Sequence, residues 1–574
     1  MKKVLLFSLI ISALLGIIYT FSVSPSVYWE DTGEFIITSK NLGIAHPPGH
    51  PLYIVLSHLF TINIPPEKVA TGVNMFSVFC SFLALFFFST LLYLLINPQK
   101  KVLFLPVFTA TILLFGFSKT FWYYTEIAEV YTLHTLFSIL IFISLLLFYK
   151  KDRRALLLFC FLFGLSLSNN ITMIFLLPAF LLFIFLERKR IVKRFILPCI
   201  LLFLLGISFY LYIPIRSRFN PLFDWGNAQT FNNLLSMGFA REFSKGFFAW
   251  EYAEKSFMPF AKQLLRNISY WSSIPILWGC YMLFKKERSL FILILSSIVF
   301  NVVFSFLTGK GPDFYAYFLP IMPLFFTLCG YGLMQILGAV KGKKFWISIV
   351  LFLILSFIPL FLNYKDNCRR NDYNALNYGH SLLFWLPDDA ILLTENTNDF
   401  FILTYIKEIE NKDHIEIYYI PLFNEEWYRK FIRAEGYDWE GRLTPLSFFR
   451  CSQKECFYTP GAGISLPVNH LQPQGPLFKI VEKRKELTPE DFSLPEPSDR
   501  KGKRRYAILY ARFGEYYFKT TDYELSITAF ENAKRYDPVN SAIYHNLSIL
   551  YRKVNNFKEA TFHQQRAEEL GYKN

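Results

Sequence analysis

Charge is scarce over long stretches of this chain. Only 18% of its 574 residues are charged, and runs such as Phe79 to Ile96 and Ala155 to Leu167 hold no charge at all. That absence excludes a wholly water-soluble protein, because about 20 consecutive apolar residues are what crosses a bilayer. Cysteine is scarce too. Five of the eight cysteines (Cys80, Cys160, Cys199, Cys280 and Cys329) lie inside apolar runs, where a thiol behaves as a small apolar group. The pair Cys451 and Cys456 lacks the second pair that a four-ligand zinc site needs, which leaves a short disulfide loop or two free thiols. After Lys2-Lys3 and the first apolar run, no convincing small-residue cleavage site appears, so the segment reads as a retained span rather than a removed signal. An inverted repeat of the transporter kind is also missing.

What the chain does have is 53% hydrophobic residues, including 65 Phe. About eleven apolar windows are long enough to predict transmembrane helices, at roughly 4–22, 72–96, 102–118, 128–148, 155–168, 171–187, 195–214, 270–284, 289–307, 314–340 and 345–362. The net charge of +15 is gathered in short clusters between spans: Lys2-Lys3, Lys100-Lys101, Lys150-Lys151 with Arg153-Arg154, Arg188 to Arg194, Lys285 to Arg288, and Lys341 to Lys344. These clusters fall at alternate gaps, as cytoplasmic loops do. That placement argues for a membrane orientation and against nucleic-acid binding. It puts 23–71, 119–127, 215–268, 308–313 and everything after 362 outside the cytoplasm. The short cytoplasmic loops favour a prokaryotic plasma (inner) membrane over the endoplasmic reticulum.

Ionisable groups crowd one external loop, 23–71. Glu30, Asp31, Glu34, His46 and His50 stand within about two dozen residues, beside a bilayer that penalises each by several kcal/mol. Two apolar stretches in this loop, Phe35 to Leu42 and Leu52 to Phe60, read as interfacial helices separated by the turn His46-Pro47-Pro48-Gly49.

The fold class expected is a polytopic α-helical membrane protein followed by an exported α/β domain and short helical repeats. The expected divisions are 1–363 for the membrane domain, 364–482 for the α/β domain, 483–504 for a linker and 505–574 for the repeats. Ala390 to Leu393 and Ile415 to Ile420 read as buried strands, with helices near 374–385 and 399–411. In the last stretch Tyr510/Tyr544, Tyr517/Tyr551 and Ala533/Ala567 recur 34 positions apart, the period of tetratricopeptide repeats. Gly514, Phe530 and Pro538 fit that pattern, whereas the second repeat has Ser548 and Gln564 at signature positions. Such repeats offer a surface for a protein partner.

The run Asp31-Thr32-Gly33-Glu34-Phe35 followed by Leu42 to Tyr53, with its His46-Pro47-Pro48-Gly49-His50-Pro51, resembles domain-of-unknown-function family 2723 (glycosyltransferase family 117). That family is grouped with the GT-C glycosyltransferases and includes the transmembrane protein-260-like protein O-mannosyltransferases. Further matching segments follow in order: Phe121-Trp122-Tyr123, Glu126 to Tyr131, Gly164 to Asn170, Tyr212 to Arg218, Asp224-Trp225-Gly226, and Leu386 to Phe400. Asn170 stands where the family pattern has histidine, and Glu395-Asn396-Thr397 replaces a more usual Asn-Gly-Asp.

The resemblance implies a GT-C-like fold and a sugar, mannose, carried on a polyprenyl phosphate and passed to Ser or Thr hydroxyls of exported proteins. A lipid or surface glycan is the alternative acceptor. A transporter and a non-catalytic scaffold are the alternatives of another class. Such a transfer needs a carboxylate to take the acceptor's proton and cations to steady the departing phosphate. Asp31 is the expected general base, against the plainer role of capping a helix. Glu34, one helical turn on, would orient the acceptor, bind Mn or Mg, or raise the proton affinity of Asp31. His46 and His50 would contact phosphate, sugar or metal, or simply bond nearby backbone. Arg216, Arg218 and Arg241 are candidate phosphate clamps, or head-group contacts. Trp122 and Tyr123, with Glu126 and Glu129, would bind sugar, or anchor a helix. Asn169, Asp224 and Trp225 complete the candidate substrate-binding set.

Overall fold

The computed structural model of the protein describes residues 2–96, 101–238, 250–308, 314–412, 414–461, 463–485 and 494–572. Its backbone falls into two compact units: residues 1–25 with 35–371, and residues 26–34 with 372–574.

The first unit is helical throughout. Its helices are α1 (Lys2–Ser22), α2 (Thr32–Asn41, begun in the second unit), α3 (Pro51–His58), α4 (Val69–Ile96), α5 (Lys101–Gly116), α6 (Lys119–Thr125), α7 (Tyr131–Tyr149), α8 (Ala155–Asn169) and α9 (Leu177–Leu186). Then come α10 (Ile196–Ile207), α11 (Tyr212–Ser217), α12 (Phe231–Gly238), α13 (Trp250–Ile268), α14 (Ser273–Lys286), α15 (Arg288–Thr308), α16 (Met322–Ala339) and α17 (Lys343–Asn367).

Every apolar window of the sequence is helical, but not every one spans. Among the described residues seven helices are long and apolar enough to cross a membrane, or eight if the pair Leu103–Gly116 and Lys119–Thr125, bent by 65°, is one span. The expected eleven shrinks because α8 has 15 residues, α14 has 14, and the 171–187 window is a 3₁₀ turn followed by the ten residues of α9. At 1.5 Å per residue these fall short of a hydrocarbon core about 30 Å thick. The helix α7 is 89% buried and forms the centre, whereas α10 and α17 are only 17% buried. Leu197, Leu201, Leu205, Ile347, Ile354 and Phe361 are accordingly exposed, as lipid-facing side chains are. Between α8 and α10 the backbones touch at Gly164 and Gly206; a Cβ on Gly206 would sit 2.6 Å from the carbonyl of Phe161. Small residues permit that approach where lipid removes the hydrophobic drive between helices.

The second unit is built on a five-stranded sheet. It comprises α18 (Asn374–Leu383), β1 (Ile391–Thr394), α19 (Thr397–Ile409), β2 (Glu416–Tyr419), α20 (Glu426–Ala434), α21 (Pro445–Ser452), β3 (Cys456–Thr459), β4 (Leu471–Gln474) and β5 (Leu477–Ile480). The strand order is β2-β1-β3-β5-β4. Parallel pairing of β1 with β2 and β3 gives way to antiparallel pairing at β5 and β4. Ile391, Leu392 and Leu393 are wholly buried, as an apolar strand of a covered parallel sheet must be. Cys451 and Cys456 are free thiols. Cys451 donates to the Phe448 carbonyl and Cys456 meets the Ser452 hydroxyl, so the disulfide loop entertained from the sequence is not formed.

Four helices close the chain: α22 (Arg500–Lys519), α23 (Tyr523–Tyr536), α24 (Ser541–Lys553) and α25 (Phe557–Glu569). Ala507, Ile527, Phe530, Ala533, Ile543, Leu547 and Leu550 share one core. Gly514 faces the Phe530 ring so closely that a Cβ would lie 2.5 Å from it. At the equivalent places 34 residues on, Ser548 donates to Gln564 at 3.1 Å instead. Both atypical residues change together, replacing an apolar contact by a hydrogen bond.

Candidate functional site

Asp31 sits immediately before α2, partly exposed, and its charge lies near Tyr419 at the end of β2. Burial first, and then Asp31 and Glu395, push that phenol up to about 12. Glu34 is buried in the first turn of α2, where a carboxylate is favoured by the helix dipole. Gly33 between them is dictated by packing. A Cβ there would stand 2.5 Å from the carbonyl oxygen of Phe401 in α19.

Within the membrane unit the His-Pro-Pro-Gly-His turn gathers four of the expected residues, His46, His50, Asn169 and Trp225. His46 and His50 have ring centroids 5.5 Å apart, and Trp225 lies 6.3 Å from His46. Phe35 packs edge-on to His50 at 5.5 Å. His50 is buried, and its Nδ1 lies 2.7 Å from the Asn169 carbonyl oxygen. A carbonyl only accepts, so Nδ1 carries the proton. Burial, and then the neighbouring His46, lower the His50 pKa to about 3, so the ring is neutral and Nε2 keeps a lone pair. His50 is therefore a neutral ring that donates through Nδ1 to the Asn169 carbonyl and can accept at Nε2.

The segment after α11 holds this turn in place. Ile44 N donates to Phe223 O at 2.7 Å, Trp225 N to Ile44 O at 3.2 Å, and Tyr212 Oη to Gly43 O at 2.9 Å. Gly49, at φ 89°, supplies a left-handed bend that a side chain would resist. Arg216 reaches the end of α2: Nε bonds the Leu42 carbonyl at 2.6 Å and an Nη the Asn41 carbonyl at 2.9 Å. Those carbonyls are the ones a helix end leaves without partners. The geometry thus gives Arg216 a capping job in place of a phosphate clamp. Arg218 is exposed and has no partner among the described residues. Arg241 lies outside the described residues.

Asp224 accepts from Ser217 Oγ at 2.7 Å through Oδ2, while its buried Oδ1 has no partner among the described residues. Burial raises its pKa from 3.8 to about 6, which marks it as a group able to gain or lose a proton in the working pH range. A folded pKa near 6 above an unfolded 3.8 means that its contribution to stability is complete below 3.8 and is lost as the pH rises through 6. Relative to wild type, Asp224→Asn should therefore gain thermal stability between about pH 4 and pH 6 and then level off. Melting curves in detergent across that range check it; a pH-independent difference would contradict the assignment.

Two other expected sugar contacts are spent inside the protein. Trp122 and Glu126 are fully buried, and Trp122 Nε1 donates to Glu126 Oε1 at 2.6 Å. The same oxygen accepts from Ser22 Oγ at 2.8 Å, tying the end of α1 to α6. Burial pushes the Glu126 carboxyl well up. With both side chains fully buried and the indole packed on Phe117, this pair reads as scaffold. Arg369 lies over the Tyr123 ring at 4.7 Å, which occupies that aromatic face. Glu129 is buried close enough to raise the phenol of Tyr53, after burial itself. Among the described residues no group of three or more His, Cys, Asp or Glu is arranged to hold a metal ion.

The two departures from the family pattern resolve as caps. Asn170 accepts from Thr172 N at 3.0 Å, and Asn396 caps α19 by accepting from Asn398 N at 2.9 Å.

The fold defines a polytopic helical membrane protein. Its path resembles the crystal structure of ArnT from Cupriavidus metallidurans bound to undecaprenyl phosphate, with a TM-score of 0.50 and 8% identity over 79% of this chain and 93% of that one. Residues 31–193 match the family described as Protein O-mannosyl-transferase TMEM260 N-terminal domain, the TMEM260-like group that the motifs resemble. The Dictyostelium discoideum protein O-mannosyl-transferase tmem260 is 24% identical over 72% of this chain and 57% of its own length. Mouse TMEM260, of the same name, is 24% identical over 73% and 63%. The chain thus spans less than two thirds of either relative.

Proposed function

We propose that this chain is a membrane glycosyltransferase that moves a sugar, mannose, from a polyprenyl-phosphate donor to Ser or Thr hydroxyls of exported proteins. The observation that carries the reading is the match of residues 31–193, beginning at Asp31, to a family named for protein O-mannosyl transfer. Two relatives bear the same name, and the ArnT structure of similar fold holds undecaprenyl phosphate.

In the proposed reaction the Asp31 carboxylate accepts the proton of the acceptor hydroxyl as its oxygen bonds to the sugar's anomeric carbon. The bond from that carbon to the phosphate oxygen breaks, and polyprenyl phosphate leaves with the electron pair. Within the membrane unit, exposed and cationic Arg218 is the proposed contact for a phosphate, and the His46-His50 pair the proposed contact for a sugar. The chain is an integral membrane protein. In this reading the basic clusters keep the alternate loops in the cytoplasm, and the unit after residue 371 is exported.

Mass spectrometry of exported proteins from cells with and without the gene tests the reading. Loss of hexose from Ser and Thr in the deletion is the expected result. An unchanged protein glycan set beside an altered lipid or surface glycan would move the acceptor to that alternative.

A further inference from the structure

Residues 26–34 belong with the second unit, and side chains from far along the chain hold them there. Tyr28 Oη and Trp29 Nε1 both donate to Asp499 Oδ2 at 3.2 Å. The other oxygen of Asp499 caps α22 by accepting from Gly502 N at 2.9 Å. Trp29 packs on Tyr378 with ring centroids 5.5 Å apart. Glu30 is held twice: its N–H donates to Asn398 Oδ1 at 2.6 Å, and its carboxylate pairs with Lys501 Nζ at 2.6 Å. That ion pair is sheltered, with only 10% of the Glu30 side chain exposed.

Glu30 has φ 70°. A side chain other than glycine occupies this left-handed region at a cost and persists there only when its surroundings over-determine it. The contacts on the consecutive residues Tyr28, Trp29 and Glu30 do so here. The next residue is Asp31. A change at the Glu30 dihedrals would swing the whole Asp31 side chain, since the peptide plane between them is rigid.

We propose that Lys501 and Asp499, at the start of α22, and Asn398 in α19 are positioning residues for sugar transfer: they lock Glu30 in the left-handed turn that aims the Asp31 carboxylate. The first helix of the C-terminal array is thereby part of the apparatus that presents the base. The role rests on Asp31 acting as proposed above.

The test uses full-length protein in detergent or liposomes, with two readouts. Lys501→Met is expected to lower kcat by roughly 10- to 100-fold, the scale of an ångström-sized misplacement. The KM values for donor and acceptor stay within about threefold, because the carboxylate acts on the proton and not on binding. Lys501→Arg, which keeps the cation, recovers most of the rate. Asn398→Ala, which leaves the α22 cap untouched, repeats the loss. Hydrogen exchange supplies the second readout and needs no activity: amides of 28–34 should exchange faster in Lys501→Met while β1–β3 stay protected. Unchanged kcat in both variants, or a fall confined to KM, overturns the positioning role. Exchange at the wild-type rate overturns the clamp whatever the activity. An inactive wild-type protein would overturn the transferase reading instead, and exchange would still decide the clamp.

Discussion

Asp31→Asn is expected to lower sugar transfer by about 10³-fold while the protein remains folded in the membrane. The substitution keeps size and one oxygen but removes the only function that matters in the proposed step, acceptance of a proton. Asp31 is partly exposed and heads α2 rather than filling a core, so its thermal midpoint should move little. The phenol of Tyr419, now raised by burial and by Asp31, should titrate lower in the variant, showing that the charge was lost in place. Initial-rate measurements with saturating donor decide the matter. Near-wild-type turnover would remove Asp31 from the reaction.

The second large effect concerns stability. Asp399 and Arg505 form a buried ion pair between α19 and α22, with 0% and 7% of their side chains exposed. Tyr378 Oη donates to Asp399 Oδ1 at 3.2 Å and accepts from Arg505 Nε at 3.2 Å, which closes a three-residue network. Removing one partner leaves the other charge buried and uncompensated, a loss of about 3–5 kcal/mol. For a unit of this size Arg505→Ala should therefore lower the melting temperature by on the order of 10 °C. Replacing both charges, Asp399→Leu with Arg505→Met, should cost much less, because no lone buried charge remains. Differential scanning fluorimetry of both variants checks this. A double variant as unstable as Arg505→Ala would mean that the pair stabilises by attraction and not merely by mutual neutralisation.

That pair also shows what the sequence could not reveal. Asp399 stands in a stretch that resembles the transferase family, which invites a functional reading. Its partner lies 106 residues away, and no periodicity links the two. The same holds for Asp499 and Lys501, which sit in an unremarkable polar stretch and prove to grip residues 28–30. Arg216 looked like a phosphate ligand because two arginines follow an apolar run; only the path of α2 reveals the two carbonyls that it serves.

Local pattern, by contrast, was readable wherever it decided the structure. The apolar windows are all helices, since lipid leaves the backbone no other way to satisfy its hydrogen bonds. The windows at α8 and α14 are bounded by Arg154 and Asn170 and by Ser272 and Glu287, so these helices stop at 15 and 14 residues, short of a full crossing. In the α/β domain the runs around Leu392 and Ile417 are strands β1 and β2 as expected. The strands β4 and β5 carry Gln472, Gln474 and Lys479, too mixed to stand out from loop, and β3 is a buried run of only four residues. The turn His46 to His50 was legible as a cluster but not in its protonation. That needed the Asn169 carbonyl, which fixes the tautomer, and the burial that keeps the ring neutral.

The most direct test is transfer itself, in a defined system. Purified protein in liposomes is supplied with a polyprenyl-phosphate-linked mannose and a Ser/Thr-rich peptide, and the peptide is weighed by mass spectrometry. The account predicts hexose on the peptide hydroxyls with the wild-type chain and almost none with Asp31→Asn. Peptide left unmodified by a folded wild-type protein, or modified equally by both, would contradict it.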